Sequence, residues 1–119
     1  MKWVKPTQEL LDMFDDLIPF APGTEKRKMF GYPCLFVNNN VFMGLFYENI
    51  FLRLSEQDRE TFLQIEQAKR FEPTPGRIMK EYAIVPSWMT KDMTLLQEWI
   101  KKSLTYAFSL PPKIKKKKK

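Results

Sequence analysis

The sequence predicts an α+β domain: a leading helix, an antiparallel sheet of about four to five strands built on a meander, helices packed on one face of that sheet, and a C-terminal amphipathic helix. Three observations carry this reading. Apolar residues recur at helical spacing near both ends of the chain. Between them runs KMFGYPCLFVNNNVFMGLFYENIFLRL, dense in aromatic and aliphatic residues and broken by turn formers. With 119 residues, 44% of them hydrophobic and 14% aromatic, the chain holds one domain's worth of core.

The first helix rests on Leu10, Leu11, Phe14, Leu17 and Ile18. Thr7 is placed to cap it, and Glu9, Asp12, Asp15 and Asp16 form its wet side. Pro19, Pro22 and Gly23 end it. Three strands are expected at 33–37, 41–47 and 50–54, joined by a loop at Asn38-Asn39-Asn40 and a turn at Glu48-Asn49. Those loops set a register in which Leu35 faces Met43, Leu45 faces Leu52 and Gly44 faces Arg53. One side then carries Leu35, Val37, Val41, Met43, Leu45, Tyr47, Ile50, Leu52 and Leu54, the core side. The other carries Phe36, Phe42, Gly44, Phe46, Phe51 and Arg53.

Ser55 begins a second helix, with Asp58 in a capping position and Phe62, Leu63 and Ile65 facing inward. KRFEPTPGR reads as a turn-rich connector, and IMKEYAIVP as a fourth, outer strand stopped by Pro86. The last helix is expected to be capped by Thr90 or Thr94. Its buried stripe is Leu95, Leu96, Trp99, Ile100, Ser103, Leu104, Ala107 and Phe108. Pro111-Pro112 stops it. Residues 1–110 make a single domain, followed by a lysine-rich tail over 111–119 that is expected to be disordered.

Several stretches, in order, resemble the TfoX N-terminal domain family, also called Sxy-like. They are RKMFGYPCLFVNNNVFMGLF, IFLRLSEQDRETF, FEPTPGRIMKEYAIVP and LLQEWIKKSLTYA. The most diagnostic pieces are Lys28-Met29-Phe30-Gly31, Phe42, and the Tyr82 to Pro86 spacing after Arg77. The resemblance implies a bacterial α+β domain associated with natural competence and gene regulation. It brings no catalytic residues with it.

Composition narrows the function classes. The formal charge is +6, and Lys113 with Lys115 to Lys119 accounts for all of it, so the body is neutral. A terminal lysine run is ordinarily a solvated end that aids solubility; contact with phosphates is its alternative reading. Lys26, Arg27 and Lys28 form a compact basic cluster in the body, and with Lys115, Lys116, Lys117, Lys118 and Lys119 they are the candidate phosphate contacts. The chain has no histidine, which removes the commonest general base and the commonest zinc ligand. Its single cysteine, Cys34, reads as a small buried side chain rather than a nucleophile, and a lone cysteine fits a cytoplasmic protein. Neither a signal peptide nor a membrane span is visible, and no cofactor or metal is expected.

The second sheet face supplies the candidate interaction surface: Phe36, Phe42, Phe46 and Phe51 around Arg53. Bare apolar patches are uncommon on monomers. The last helix could cover this one, a protein partner or second copy of the chain could use it, or it could stack bases. The leading expectation is a non-enzymatic domain acting through protein contact, including a homodimer. The alternative is a nucleic-acid-binding accessory protein using the lysine tail and the Arg53 face. An enzyme without histidine is the third.

Overall fold

The computed structural model describes residues 7–19, 21–29 and 31–112. The chain forms α1 (Gln8–Leu17), β1 (Thr24–Met29), β2 (Tyr32–Val37), β3 (Asn40–Phe46), β4 (Asn49–Arg53), α2 (Glu56–Phe62), β5 (Lys69–Thr74), β6 (Arg77–Ile84), a 3-10 turn (Ser87–Lys91) and α3 (Met93–Ser109). The six strands make one sheet in the order β1-β2-β3-β4-β6-β5, and every neighbouring pair is antiparallel. The α+β class is therefore as the sequence predicts. Two strands, β1 and β5, are additional to the four placed by pattern. β6 is not an outer strand, because it lies between β4 and β5.

Local chemistry explains the helix starts. The Thr7 hydroxyl accepts the Leu10 N–H, and the Ser55 hydroxyl accepts the Asp58 N–H, as anticipated. α3 starts differently. Residues 87–91 form the separate 3-10 turn, so neither threonine caps the helix. Asp92 does, its carboxylate accepting the Leu95 N–H.

The first turn of the meander is tighter than expected, and the second has the expected length but lies one residue earlier. Asn38 and Asn39 alone form the first, with φ of 51° and 67°, the left-handed pair that a two-residue hairpin turn needs. Asn40 enters β3 opposite Val37, and Leu35 still faces Met43 because Phe42 bulges out between Val41 and Met43. The second turn is Tyr47-Glu48, so Leu45 faces Ile50 and Gly44 faces Phe51. This displaces the expected register by two residues. Side chains alternate with a period of two, so the β3–β4 faces survive the displacement; two residues expected on the core side do not, because the bulge puts Val41 opposite Phe36 and Tyr47 lies in the turn with its ring against Tyr32 and Phe46.

The helices back the aliphatic side. Leu35, Val37, Met43, Leu45, Ile50, Leu52 and Leu54 are buried, and α3 lies against β2, β3 and β4. Leu96, Trp99, Ile100, Ser103 and Ala107 form the buried stripe of α3; Phe108 falls outside it, 46% exposed. The buried Ser103 hydroxyl lies 2.8 Å from the Phe42 carbonyl and 2.7 Å from that of Arg53, and shares its one proton between them. It serves two carbonyls at the point where the β3–β4 pairing ends.

The aromatic side closes on itself. β5 is separated from β3 by β4 and β6, which in a flat sheet would put them about 14 Å apart. Yet the Phe71 ring centroid is 5.3 Å from that of Phe46, and it stacks on Phe51 at 4.8 Å with an 8° interplanar angle. The sheet therefore curls around this face, and β5 covers it. Gly44 makes the close packing feasible. A Cβ there would lie 2.6 Å from Cys34 Sγ and 2.7 Å from Phe51 Cζ. Adding a methyl group to a strand glycine normally stabilises by lowering the entropy of the unfolded chain. Here the steric term dominates, and Gly44→Ala is expected to destabilise by about 1–3 kcal/mol, lowering the melting temperature by several degrees. Thermal unfolding followed by circular dichroism checks this; an unchanged or raised midpoint contradicts the packing.

Candidate functional site

The expected phenylalanine surface is not open. Phe42, Phe46 and Phe51 are buried, at 0%, 8% and 1% exposure, and only Phe36 is half-buried. Over Phe46 and Phe51 the cover comes from the curled sheet, where Phe71, Tyr82 and Tyr32 complete a ring cluster. Arg53 does share this face, but its guanidinium is committed. Nε donates to Glu81 at 2.7 Å, and the group lies 5.4 Å from the Tyr82 ring centroid. The Tyr106 hydroxyl approaches the same Glu81 oxygen at 3.4 Å. Burial pushes the Tyr82 phenol up to about 12.

The basic cluster is an edge strand. Lys26, Arg27 and Lys28 lie in β1, and their charges discourage pairing of that edge with another chain. Alternation sends them to different sides. Lys26 donates to Asp15 of α1 at 2.7 Å. Arg27 donates to Glu25 at 2.8 Å and Asn39 at 2.7 Å, with its guanidinium over the Phe36 ring. The Glu25 contact raises the Arg27 pKa, so its charge is secure. Lys115, Lys116, Lys117, Lys118 and Lys119 lie outside the described residues.

Pattern reading missed a cleft of about 730 Å³ where the curled sheet meets the start of β5. Phe46 and Phe71 contribute rings to its lining, Tyr47 and Gln67 come from the loops, and Lys69 and Ser87 add polar groups. Tyr47 and Gln67 have φ of 58° and 70°. Such left-handed backbone costs a residue with a side chain roughly 1–2 kcal/mol. Among the described residues, two of the four non-glycine residues with positive φ thus meet at one cleft, where strain of this kind tends to collect. Trp88 flanks it. Its indole N–H donates to the Glu66 carbonyl at 2.9 Å, next to Gln67, while the side chain stays 38% exposed. The large aromatic residue is thereby held in place without being buried.

Among the described residues, no group of three or more Cys, Asp or Glu is arranged to hold a metal ion, and no helix is long and apolar enough to cross a membrane. Cys34 is fully buried between Gly44 and the rings, and loss of solvent pushes its thiol up to about 12. It is not an activated nucleophile.

These features define a small α+β domain whose curled antiparallel sheet is backed by helices on one side and closed by its own aromatic residues on the other. The chain belongs to the TfoX N-terminal domain family, whose model matches residues 14–107, from within α1 to within α3. That is the family the sequence resembles. No curated protein matches the chain.

With its pKa near 12, the Cys34 thiolate at neutral pH is scarcer than that of a free cysteine by roughly a thousandfold. The native protein is therefore expected to react with a thiol-specific disulfide reagent only as fast as it unfolds, and immediately in strong denaturant. Rapid stoichiometric labelling of the native chain contradicts this.

Proposed function

We propose that this TfoX N-terminal domain is a non-enzymatic module that acts through contact with a partner protein, and that the contact is centred on Trp88 and the cleft beside it. The regulatory role in competence or gene expression implied by the family resemblance is exercised through that contact. The observation that carries the reading is the fixed, exposed indole. Tryptophan anchors are enriched among residues that dominate binding energy, and a pre-positioned side chain loses little freedom when a partner arrives. The shielding of Cys34 supports binding over catalysis. The burial of Phe42, Phe46 and Phe51 moves the contact away from the sheet face, so self-association through those rings is not part of this reading.

The test is affinity capture from a lysate of the native host, with the captured protein identified and its affinity then measured. Trp88→Ala is expected to weaken that affinity by about thirtyfold or more, the effect of losing a dominant contact residue. Ile78→Ala, which removes another exposed apolar side chain on β6, is expected to leave it unchanged. Melting curves of both variants establish that they fold. Equal affinity for Trp88→Ala and the parent contradicts the proposal.

A further inference from the structure

The curled sheet leaves one end open. β4 and β6 stay joined as far as Val85, whose N–H donates to the Ile50 carbonyl at 2.8 Å. Pro86 has no N–H with which to continue the ladder. β5 begins only at Lys69, opposite Ile84. The cleft of about 730 Å³ lies between the Tyr47-Glu48 turn, the start of β5 and the end of β6. Its volume falls within the range of roughly 300–1,000 Å³ that small-molecule sites occupy, and the mouth of a curled sheet is a usual place for one.

The walls are apolar and flat. The Tyr47 ring meets Phe46 edge-on at 4.7 Å, and Phe46 in turn meets Phe71 at 5.3 Å. Ile84, Val85 and Pro86 add an aliphatic wall. A planar ring is the shape that such walls cover best.

The rim carries charge. Lys69 faces Ile84 and Ile84 faces Phe51, so register puts Lys69 on the aromatic side of the sheet, with the rings. Arg70 also borders the cleft. Among the described residues, neither cation has a carboxylate partner. Two acids border the same cleft. Glu72 is committed, its carboxylate accepting the Gly76 N–H at 2.6 Å, and Glu48 is exposed in its turn. An incoming anion therefore meets two unpaired cations and one unengaged acid. Gln67 and Ser87 supply neutral hydrogen-bonding groups.

We propose that this cleft binds a small aromatic carboxylate, with its ring against the apolar walls and its carboxylate on Lys69. Burial of the ring supplies most of the affinity. The exposed ion pair adds little strength but sets the preference for an anion over a neutral ring of the same size. The site lies beside Trp88, but it needs no partner protein and does not rest on the reading above.

The test is a nuclear magnetic resonance titration of the isotope-labelled chain alone with benzoate, indole-3-acetate and 2-naphthoate. The last is expected to shift the backbone signals of Tyr47, Lys69 and Ser87, with a dissociation constant of about 1 mM or tighter. Uncharged 2-naphthamide is expected to bind roughly threefold to fivefold more weakly. Lys69→Glu is expected to abolish or reverse that preference and to leave the affinity for the neutral ligand unchanged. Lys101→Glu, the same charge change on α3 behind the sheet, is expected to bind like the parent. Ser87→Trp, which fills the cleft, is expected to weaken both ligands by about tenfold or more. Trp88→Ala is expected to keep its affinity for 2-naphthoate, so failure of the partner contact and failure of this site are separable. Melting curves establish that the variants fold. Signals of the cleft that stay unmoved by all three carboxylates overturn the site, as does a Ser87→Trp variant that binds like the parent. Equal affinity for 2-naphthoate and 2-naphthamide, or a preference that survives Lys69→Glu, overturns the assignment to a carboxylate on Lys69.

Discussion

The tip of the Phe51 ring lies where a side chain on Gly44 would be, and the same ring stacks on Phe71 from a strand two places away in the sheet. That sandwich sets the curvature of the molecule. A glycine on β3 lets the ring descend onto the backbone, and the ring then offers a flat surface to β5. Phe46 and Tyr82 meet Phe71 edge-on, in the tilted geometry that aromatic pairs favour, and Tyr32 extends the cluster onto β2. Without this cluster the sheet would be a two-sided surface with one greasy face. With it, the chain seals both faces, one with helices and one with its own rings.

Closure also decides where recognition can occur. Once the phenylalanines are buried, the available features lie at the margins of the sheet. At one margin, the curling strand leaves a cleft lined by Phe46 and Phe71, with Trp88 held beside it by a single hydrogen bond to the Glu66 carbonyl. At another, the outer strand β1 carries lysine and arginine in place of apolar residues. Those charges discourage edge-to-edge pairing, and Asp15, Glu25 and Asn39 hold Lys26 and Arg27. The α3 helix links the two layers. Ser103 serves backbone carbonyls of β3 and β4, and Pro111 is tied to the β2–β3 turn.

Local pattern disclosed what local physics controls. The caps at Thr7 and Ser55, the two sheet faces apart from Val41 and Tyr47, and the buried stripe of α3 apart from Phe108 follow from residue type and spacing. β1 escaped notice because TEKRKM lacks an apolar alternation, which an edge strand does not need. β5 escaped because Phe71 stands alone among Lys69, Arg70, Glu72 and Pro73, a mixture that reads as a turn. The phenylalanine face was legible as a face, but its closure was not. It depends on a contact between Phe46 and Phe71, residues distant in sequence, which no periodicity encodes. Trp88 was missed for a similar reason, since its fixed, exposed position depends on a carbonyl twenty-two residues earlier.

A double-mutant cycle between Phe46 and Phe71 tests the curled sheet most directly. Phe46→Leu, Phe71→Leu and the double substitution keep the sites apolar, and chemical denaturation gives the stability of each. Rings in contact at 5.3 Å predict a coupling energy of about 0.5–1.5 kcal/mol. Two effects that add within about 0.3 kcal/mol would mean that the strands do not meet across this face.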